Sequence, residues 1–188
     1  LVAGAGCNVI GLANNHINDK GQAAIDADIA VWEELRPLAV AGANRTPEEQ
    51  MTVRYFTKNG VKVAFLAFAD YSNNTNLTPY GVNIYHKDEL VRKLVGEASA
   101  NADAVVVSAH WGTEDSSTVN DDQTMAAQLF ADSGADVVIG TGPHVIQEAK
   151  YITSSDGRKT LVWYSIGNML SSQLQVNELT GVVVGFTL

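Results

Sequence analysis

The chain has 188 residues, 46% of them hydrophobic, which is enough apolar material for one well-buried core and points to a single domain over 1–188. Its formal net charge of −9, with 12 Lys and Arg against 21 Asp and Glu, disfavours nucleic acid as a partner, because neutralising phosphates takes clustered cations. Cys7 is the single cysteine, which excludes an intrachain disulfide and a thiolate metal cluster and predicts a small buried hydrophobe.

The opening Leu1-Val2-Ala3-Gly4-Ala5-Gly6 reads as the tail of a helix running into a strand, with further sequence and any anchor expected upstream. No apolar stretch approaches the length of a membrane-spanning helix. A first strand ends at Leu12. A helix follows Asn18-Asp19-Lys20-Gly21, carries Ala24, Ile25, Ile29, Val31, Trp32 and Leu35 near helical spacing, and stops before Pro37. Residues 38–42 suit a short strand, and 44–49 a turn leading to a single helical turn. Residues 51–57 alternate as a half-exposed strand, Asn59-Gly60 is a hairpin turn, and 61–69 is the return strand.

Residues 70–79 are mostly polar and read as a surface loop bordering a site. A short extended piece at 81–85 leads to a helix over about 87–100, then a strand ending at His110. After a polar loop comes a helix over about 123–133 with Gly134 as its C-cap, followed by a strand ending near Gly140. Residues 151–153 and 159–166 pair as a hairpin across Ser154-Ser155-Asp156-Gly157, and 181–188 forms a last strand. Mixed βα units and hairpins favour a layered α/β sandwich over a purely doubly wound sheet.

Three of the four histidines close hydrophobic runs: His16 after Val9-Ile10-Gly11-Leu12-Ala13-Asn14-Asn15, His110 after Val105-Val106-Val107-Ser108-Ala109, and His144 after Val137-Val138-Ile139-Gly140-Thr141-Gly142-Pro143. Such runs read as buried parallel strands, and ligands gather at the carboxyl ends of strands like these. Three imidazoles at one edge suggest a metal site. Asn14 and Asn15 can end the strand and cap the following helix, or supply a hard amide oxygen to a cation beside His16. His110 can be a satisfied histidine at the core edge. Alternatively Gly112 turns the chain, Trp111 walls a pocket and Glu114 orients an imidazole. Gly167-Asn168 adds a polar group at the same edge, while His86, among polar residues before a helix, reads as surface. Ser108 and Ser165 lack the Gly-x-Ser-x-Gly setting of a serine hydrolase, and no phosphate-binding glycine loop occurs.

The strings Ile10-Gly11-Leu12-Ala13-Asn14-Asn15-His16, Ala109-His110-Trp111-Gly112-Thr113-Glu114, Gly134-Ala135-Asp136-Val137-Val138-Ile139-Gly140, Pro143-His144-Val145-Ile146-Gln147 and Tyr164-Ser165-Ile166-Gly167-Asn168 together resemble the bacterial capsule synthesis protein family. This is the poly-gamma-glutamate capsule biosynthesis type, related to calcineurin-like metallophosphoesterases. The resemblance implies a metallophosphoesterase-like four-layer α/β/β/α sandwich, here missing its N-terminal strands, with up to two divalent metal ions (Mn, Zn or Fe) at the strand ends. Carried over position by position, Asn15 resembles a metal ligand, His16 its catalytic proton-donating partner, His110 a ligand of the same metal, and His144 a ligand of the other. Asn14, Trp111, Glu114 and Asn168 then surround the site.

The mechanism so implied is attack of metal-activated water on an ester or amide-like centre. Family members are commonly tethered to the outer face of the membrane, which implies an extracytoplasmic, membrane-anchored whole protein. The partners implied are an anionic cell-surface polymer or its precursor and membrane synthase or export subunits. Two departures stand out: relatives carry His-Pro-His where this chain has Gly142-Pro143-His144, and the family's earlier acidic ligands fall upstream of Leu1. Two functions of different class follow, a metal-dependent hydrolase of capsule synthesis and a non-catalytic accessory subunit of a polymer synthesis or export complex.

Overall fold

The computed structural model describes residue 4 and residues 6–187, so most of the helix tail expected at 1–6 lies outside the described residues. In chain order the elements are β1 (Val9–Gly11), α1 (Gln22–Leu35), β2 (Ala39–Ala41), α2 (Pro47–Gln50), β3 (Arg54–Lys58), β4 (Val61–Ala69), α3 (Asp88–Asn101), β5 (Ala104–His110), α4 (Asp121–Ser133), β6 (Val137–Thr141), β7 (Ala149–Thr153) and β8 (Lys159–Trp163). β1 and β2 pair in parallel as a small sheet. The large sheet runs β3-β4-β5-β6-β8-β7, with β4, β5, β6 and β8 parallel and the two edge strands antiparallel.

β4 is buried continuously from Val63 to Ala69, the signature of a strand covered on both faces. Its even residues Ala64, Leu66 and Phe68, with Val105, Val107 and Ala109 of β5, pack under Val91, Leu94 and Val95 of α3 and Ala127 and Phe130 of α4. Its odd residues Val63, Phe65 and Ala67, with Val106 of β5, meet Ile10, Ala39 and Ala41 of the small sheet and, beyond it, Ile25 and Ile29 of α1. The layers are therefore helices, large sheet, small sheet, helix. This is a mixed α/β architecture with a central mixed sheet, consistent with the metallophosphoesterase-like sandwich expected from the sequence.

Local chemistry explains most boundaries. Asn59 and Gly60 both take positive φ (53° and 84°), the turn that lets β3 and β4 twist together. α4 opens on a capping box between Asn120 and Gln123 and closes on Gly134 in the left-handed region. β3 starts three residues later than the pattern suggested, because α2 and its C-cap Met51 use the first of them. Residues 81–85 make isolated bridges, Val82 to Ala43 and Ile84 to Ala69, rather than a strand.

The strand expected over 181–188 is not formed among the described residues. The free side of β8 is already taken by β7, so 181–187 find a single bridge, Gly181 to Gly167, and Val183 stays fully exposed. Leu188 lies outside the described residues. Cys7 is half-buried against the small-sheet core rather than enclosed in it.

Candidate metal site at the strand ends

The register of the parallel strands sets Ala69 beside His110 and His110 beside Thr141, so β4, β5 and β6 end at one edge. Strand alternation turns Ala109 and Trp111 towards α3 and α4, and His110 towards the small sheet. Burial pushes the His110 pKa down to about 4, and the nearby positive charge of His144 and His16, when present, adds to that. At neutral pH this imidazole is uncharged and holds a lone pair, as a metal ligand must. Its Nδ1 lies 3.4 Å from Thr141 Oγ1.

β1 delivers the amide group to the same edge. Asn14 closes a local turn, its Oδ1 accepting from His16 N at 2.9 Å while its Nδ2 donates to Leu12 O at 3.1 Å. Asn15 is buried; its backbone oxygen accepts from Asn73 N at 2.9 Å, and its Nδ2 donates to Asn73 Oδ1 at 3.4 Å. Among the described residues, Asn15 Oδ1 takes no hydrogen bond from either of those contacts. His16 is exposed, with Nδ1 2.7 Å from Asp19 Oδ2 and 3.2 Å from Asn73 Nδ2.

His144 stands on a left-handed residue, φ 63°, in the turn after β6. Its Nδ1 is 2.9 Å from Asn168 Oδ1. The Asn168 amide is oriented by donating from Nδ2 to Gln173 Oε1 and to Glu178 O, both at 2.8 Å. With the carbonyl end of Asn168 facing the ring, Nδ1 is the donor in this bond, the outer-partner arrangement that orients ligating histidines. His110, His144, Asn168 and Leu179 border one cleft of about 510 Å³.

Two other sequence candidates lie elsewhere. Trp111 is buried on the helix side, where Nε1 donates to Tyr164 O at 2.7 Å and the indole stacks on the Tyr164 ring at 5.7 Å. Glu114 is exposed on the loop past β5, outside the residues that border the cleft. Gly142 sits at φ 119°, and a β-carbon there would lie 2.3 Å from Trp111 O, so no side chain fits this backbone.

His86 lies at the surface, as the sequence reading has it, but it does not stand alone. Its side chain is 51% exposed, yet Nε2 lies 2.6 Å from Asp70 Oδ1 and Nδ1 3.9 Å from Asp122 Oδ1. One ligand atom from each of Asp70, His86 and Asp122 lies within 4.8 Å of the others, making them a possible metal-binding group. The signal was weak in sequence, since the three residues come from the end of β4, the run-in to α3 and the first turn of α4.

Two sheets face to face between helices, with His110, His144 and the buried amide of Asn15 brought to the strand ends, define a mixed α/β domain, a class in which ligands gather at that edge. The profile of the family described as Bacterial capsule synthesis protein PGA_cap matches residues 1–173, and the chain belongs to this family. It is 30% identical over 169 residues to the PGA biosynthesis protein CapA of Bacillus subtilis (strain 168), covering 88% of this chain and 43% of that protein. It is 31% identical over 177 residues to the capsule biosynthesis protein CapA of Bacillus anthracis, covering 90% of this chain and 41% of that one. The chain thus spans less than half the length of these two relatives. A crystal structure of a hypothetical protein from Thermus thermophilus superposes with a TM-score of 0.42 at 16% identity, over 75% of this chain and 57% of that one, a likeness too loose to bear on function.

Proposed function

We propose that this chain is the metal-binding, hydrolase-like domain of a capsule biosynthesis protein that acts outside the cytoplasmic membrane. Its substrate in this reading is an anionic surface polymer of the poly-gamma-glutamate kind, or a precursor, and the whole protein is membrane-anchored beside synthase or export subunits. Family membership and the names of the two relatives support the pathway. Among the described residues, no helix is long and apolar enough to cross a membrane, so an anchor would lie in other sequence.

The observation that carries the reading is His110, half-buried and uncharged beside His144, whose ring Asn168 orients. Nε2 of His144, the His110 imidazole and the Asn15 amide oxygen form a nitrogen–oxygen donor set of the kind Zn, Mn or Fe takes. Three donors suit one cation with an open position. A bound cation would supply an acidified water and polarise a phosphoryl or acyl oxygen. His16, exposed and paired with Asp19, can hold a proton at its free ring nitrogen and pass it to a leaving group. Since the chain carries −9, a cation at this edge would also offset repulsion of a polyanion.

The test is metal content and calorimetric titration with Mn²⁺ and Zn²⁺ of the chain and of His110→Ala and His144→Ala. Stoichiometric binding weakened by both changes supports the reading, and binding untouched by both overturns it.

The second reading, an accessory subunit without catalysis, is favoured by Gly142. The position where relatives carry an additional imidazole is closed by the Trp111 main chain, which leaves too few donors for a second metal. Cells carrying His110→Ala in an otherwise intact, folded protein decide between the two. Normal capsule favours the accessory role, and lost capsule favours the enzyme.

A further inference from the structure

We infer that Asp70, His86 and Asp122 form a separate cation site of the zinc type, on the face of the large sheet opposite His110. Alternation along β4 assigns the faces: Phe68 belongs to the core under α3 and α4, and Ala69 to the core against the small sheet. Asp70, next in line, falls back on the helix side. His110, beside Ala69 in register, points the other way. The two donor groups share a sheet edge and are divided by the sheet itself.

Three elements converge on the site. Asp70 ends β4, His86 precedes α3, and Asp122 stands in the first turn of α4. The geometry is supported from below by Tyr85, which is buried at 2% exposure and packed edge-on to Trp111 and Phe130 at 6.4 and 6.1 Å. Its hydroxyl donates to Asp122 Oδ2, leaving Oδ1 turned to the imidazole of His86. The His86 ring lies against the Tyr85 ring at 4.6 Å, which limits its swing. Burial and the Asp122 carboxylate raise the Tyr85 pKa, so the phenol stays a donor.

The chemistry of the donors selects the ion. Two carboxylates facing one imidazole carry a net negative charge at neutral pH, which a divalent cation neutralises. An imidazole in the set favours Zn²⁺ and its neighbours over Mg²⁺ and Ca²⁺, which prefer all-oxygen shells. Three protein ligands leave a coordination position open to water. The ion would enter between His86 Nε2 and Asp70 Oδ1, now 2.6 Å apart, and draw in Asp122 Oδ1, which faces the same imidazole 3.9 Å from Nδ1. A cleft of about 400 Å³ between α3 and α4, reaching Arg92 and Asp132, gives access from solvent. Bound there, a cation would pin the loop after Asp70, whose Asn73 holds Asn15.

The test uses the full 188-residue chain, titrated with Zn²⁺ by calorimetry and with Co²⁺ by visible absorption, and melted with and without Zn²⁺. His86→Ala and Asp122→Asn are compared with His110→Ala, and circular dichroism confirms each fold. The expected result is loss of one equivalent, with its share of the Zn²⁺-induced rise in melting temperature, in both His86→Ala and Asp122→Asn, and retention of that equivalent in His110→Ala. Asp122→Asn keeps an acceptor for Tyr85, so it reports even if His86→Ala fails to fold. Unchanged stoichiometry and affinity in these two variants, or binding removed by His110→Ala alone, overturns the site. Either result leaves the reading of the His110 edge to its own variants.

Discussion

Gly142 lies flat against the backbone of Trp111, close enough that a β-carbon at 142 would sit 2.3 Å from the Trp111 carbonyl oxygen and 3.0 Å from its amide nitrogen. The contact is between main chains, so no side-chain rotation relieves it, and φ 119° adds strain for any other residue. Gly142→Ala is expected to cost at least about 2 kcal/mol, a fall of roughly 4–8 °C in melting temperature for a domain of this size. Gly142→His should fall at least as far and gain no metal affinity. A His variant that melts with the wild type and binds a cation more tightly would show that the turn rearranges easily.

The half-buried His110 makes stability depend on pH in a defined direction. Its folded pKa is near 4 against 6.5 for an ordinary histidine, so between these values the unfolded chain takes up a proton that the folded chain does not. Its contribution is therefore intact above pH 6.5, fades as pH falls, and is fully lost below about 4, a total of about 3 kcal/mol. Denaturant unfolding of metal-free protein at pH 7 and pH 4.5, compared with His110→Gln, checks this. The variant should show a shallower loss on acidification, and an equal loss in both proteins would place the acid sensitivity elsewhere.

His110 and His144 are legible in the sequence because each closes an apolar run, and strand ends in a layered α/β domain lie on one edge. The hairpin at Asn59-Gly60 and the cap at Gly134 are legible because both positions demand positive φ. What spacing cannot show is which way a side chain leaves the strand end. Trp111, next to His110, serves the helix-side core instead of the cleft. His86 looks like surface because Asp70 and Asp122 reach it only through the fold. Residues 181–187 have the composition of a strand, yet they make one bridge, Gly181 to Gly167, because β7 already occupies the side of β8 that they run beside.

Asn168 acts on the cleft through His144. Removing its carbonyl frees the His144 ring to rotate and to change tautomer, while the imidazole itself remains. Asn168→Ala is expected to weaken metal binding at this edge by about 10- to 100-fold, and Asn168→Asp, which retains an acceptor for Nδ1, by much less. Calorimetry on the two variants checks the ordering. Equal loss in both would indicate that the bonds from Asn168 to Gln173 and Glu178, rather than its hold on His144, matter for binding.

Gln123 and Gln147 join the base of α4 to the chain after β6 inside the core. Gln123 Nε2 donates to Gln147 Oε1 at 2.7 Å, and Gln147 Nε2 donates to Ser116 O and Thr118 O at 3.0 and 3.1 Å. Gln123 is completely buried and its Oε1 also accepts from Asn120 N in the capping box. Gln147→Leu removes every partner Gln147 offers while filling its volume, so the buried Gln123 amide loses its acceptor, while Thr118 O still accepts from Ser116 Oγ. The expected loss is about 2–3 kcal/mol, larger than for a surface glutamine by the cost of burying unsatisfied groups. The double variant Gln123→Leu with Gln147→Leu should lose less than the sum of the single changes, because the second substitution removes a group the first had already orphaned. Strict additivity in denaturant unfolding would mean that water reaches the pair and replaces the missing bonds.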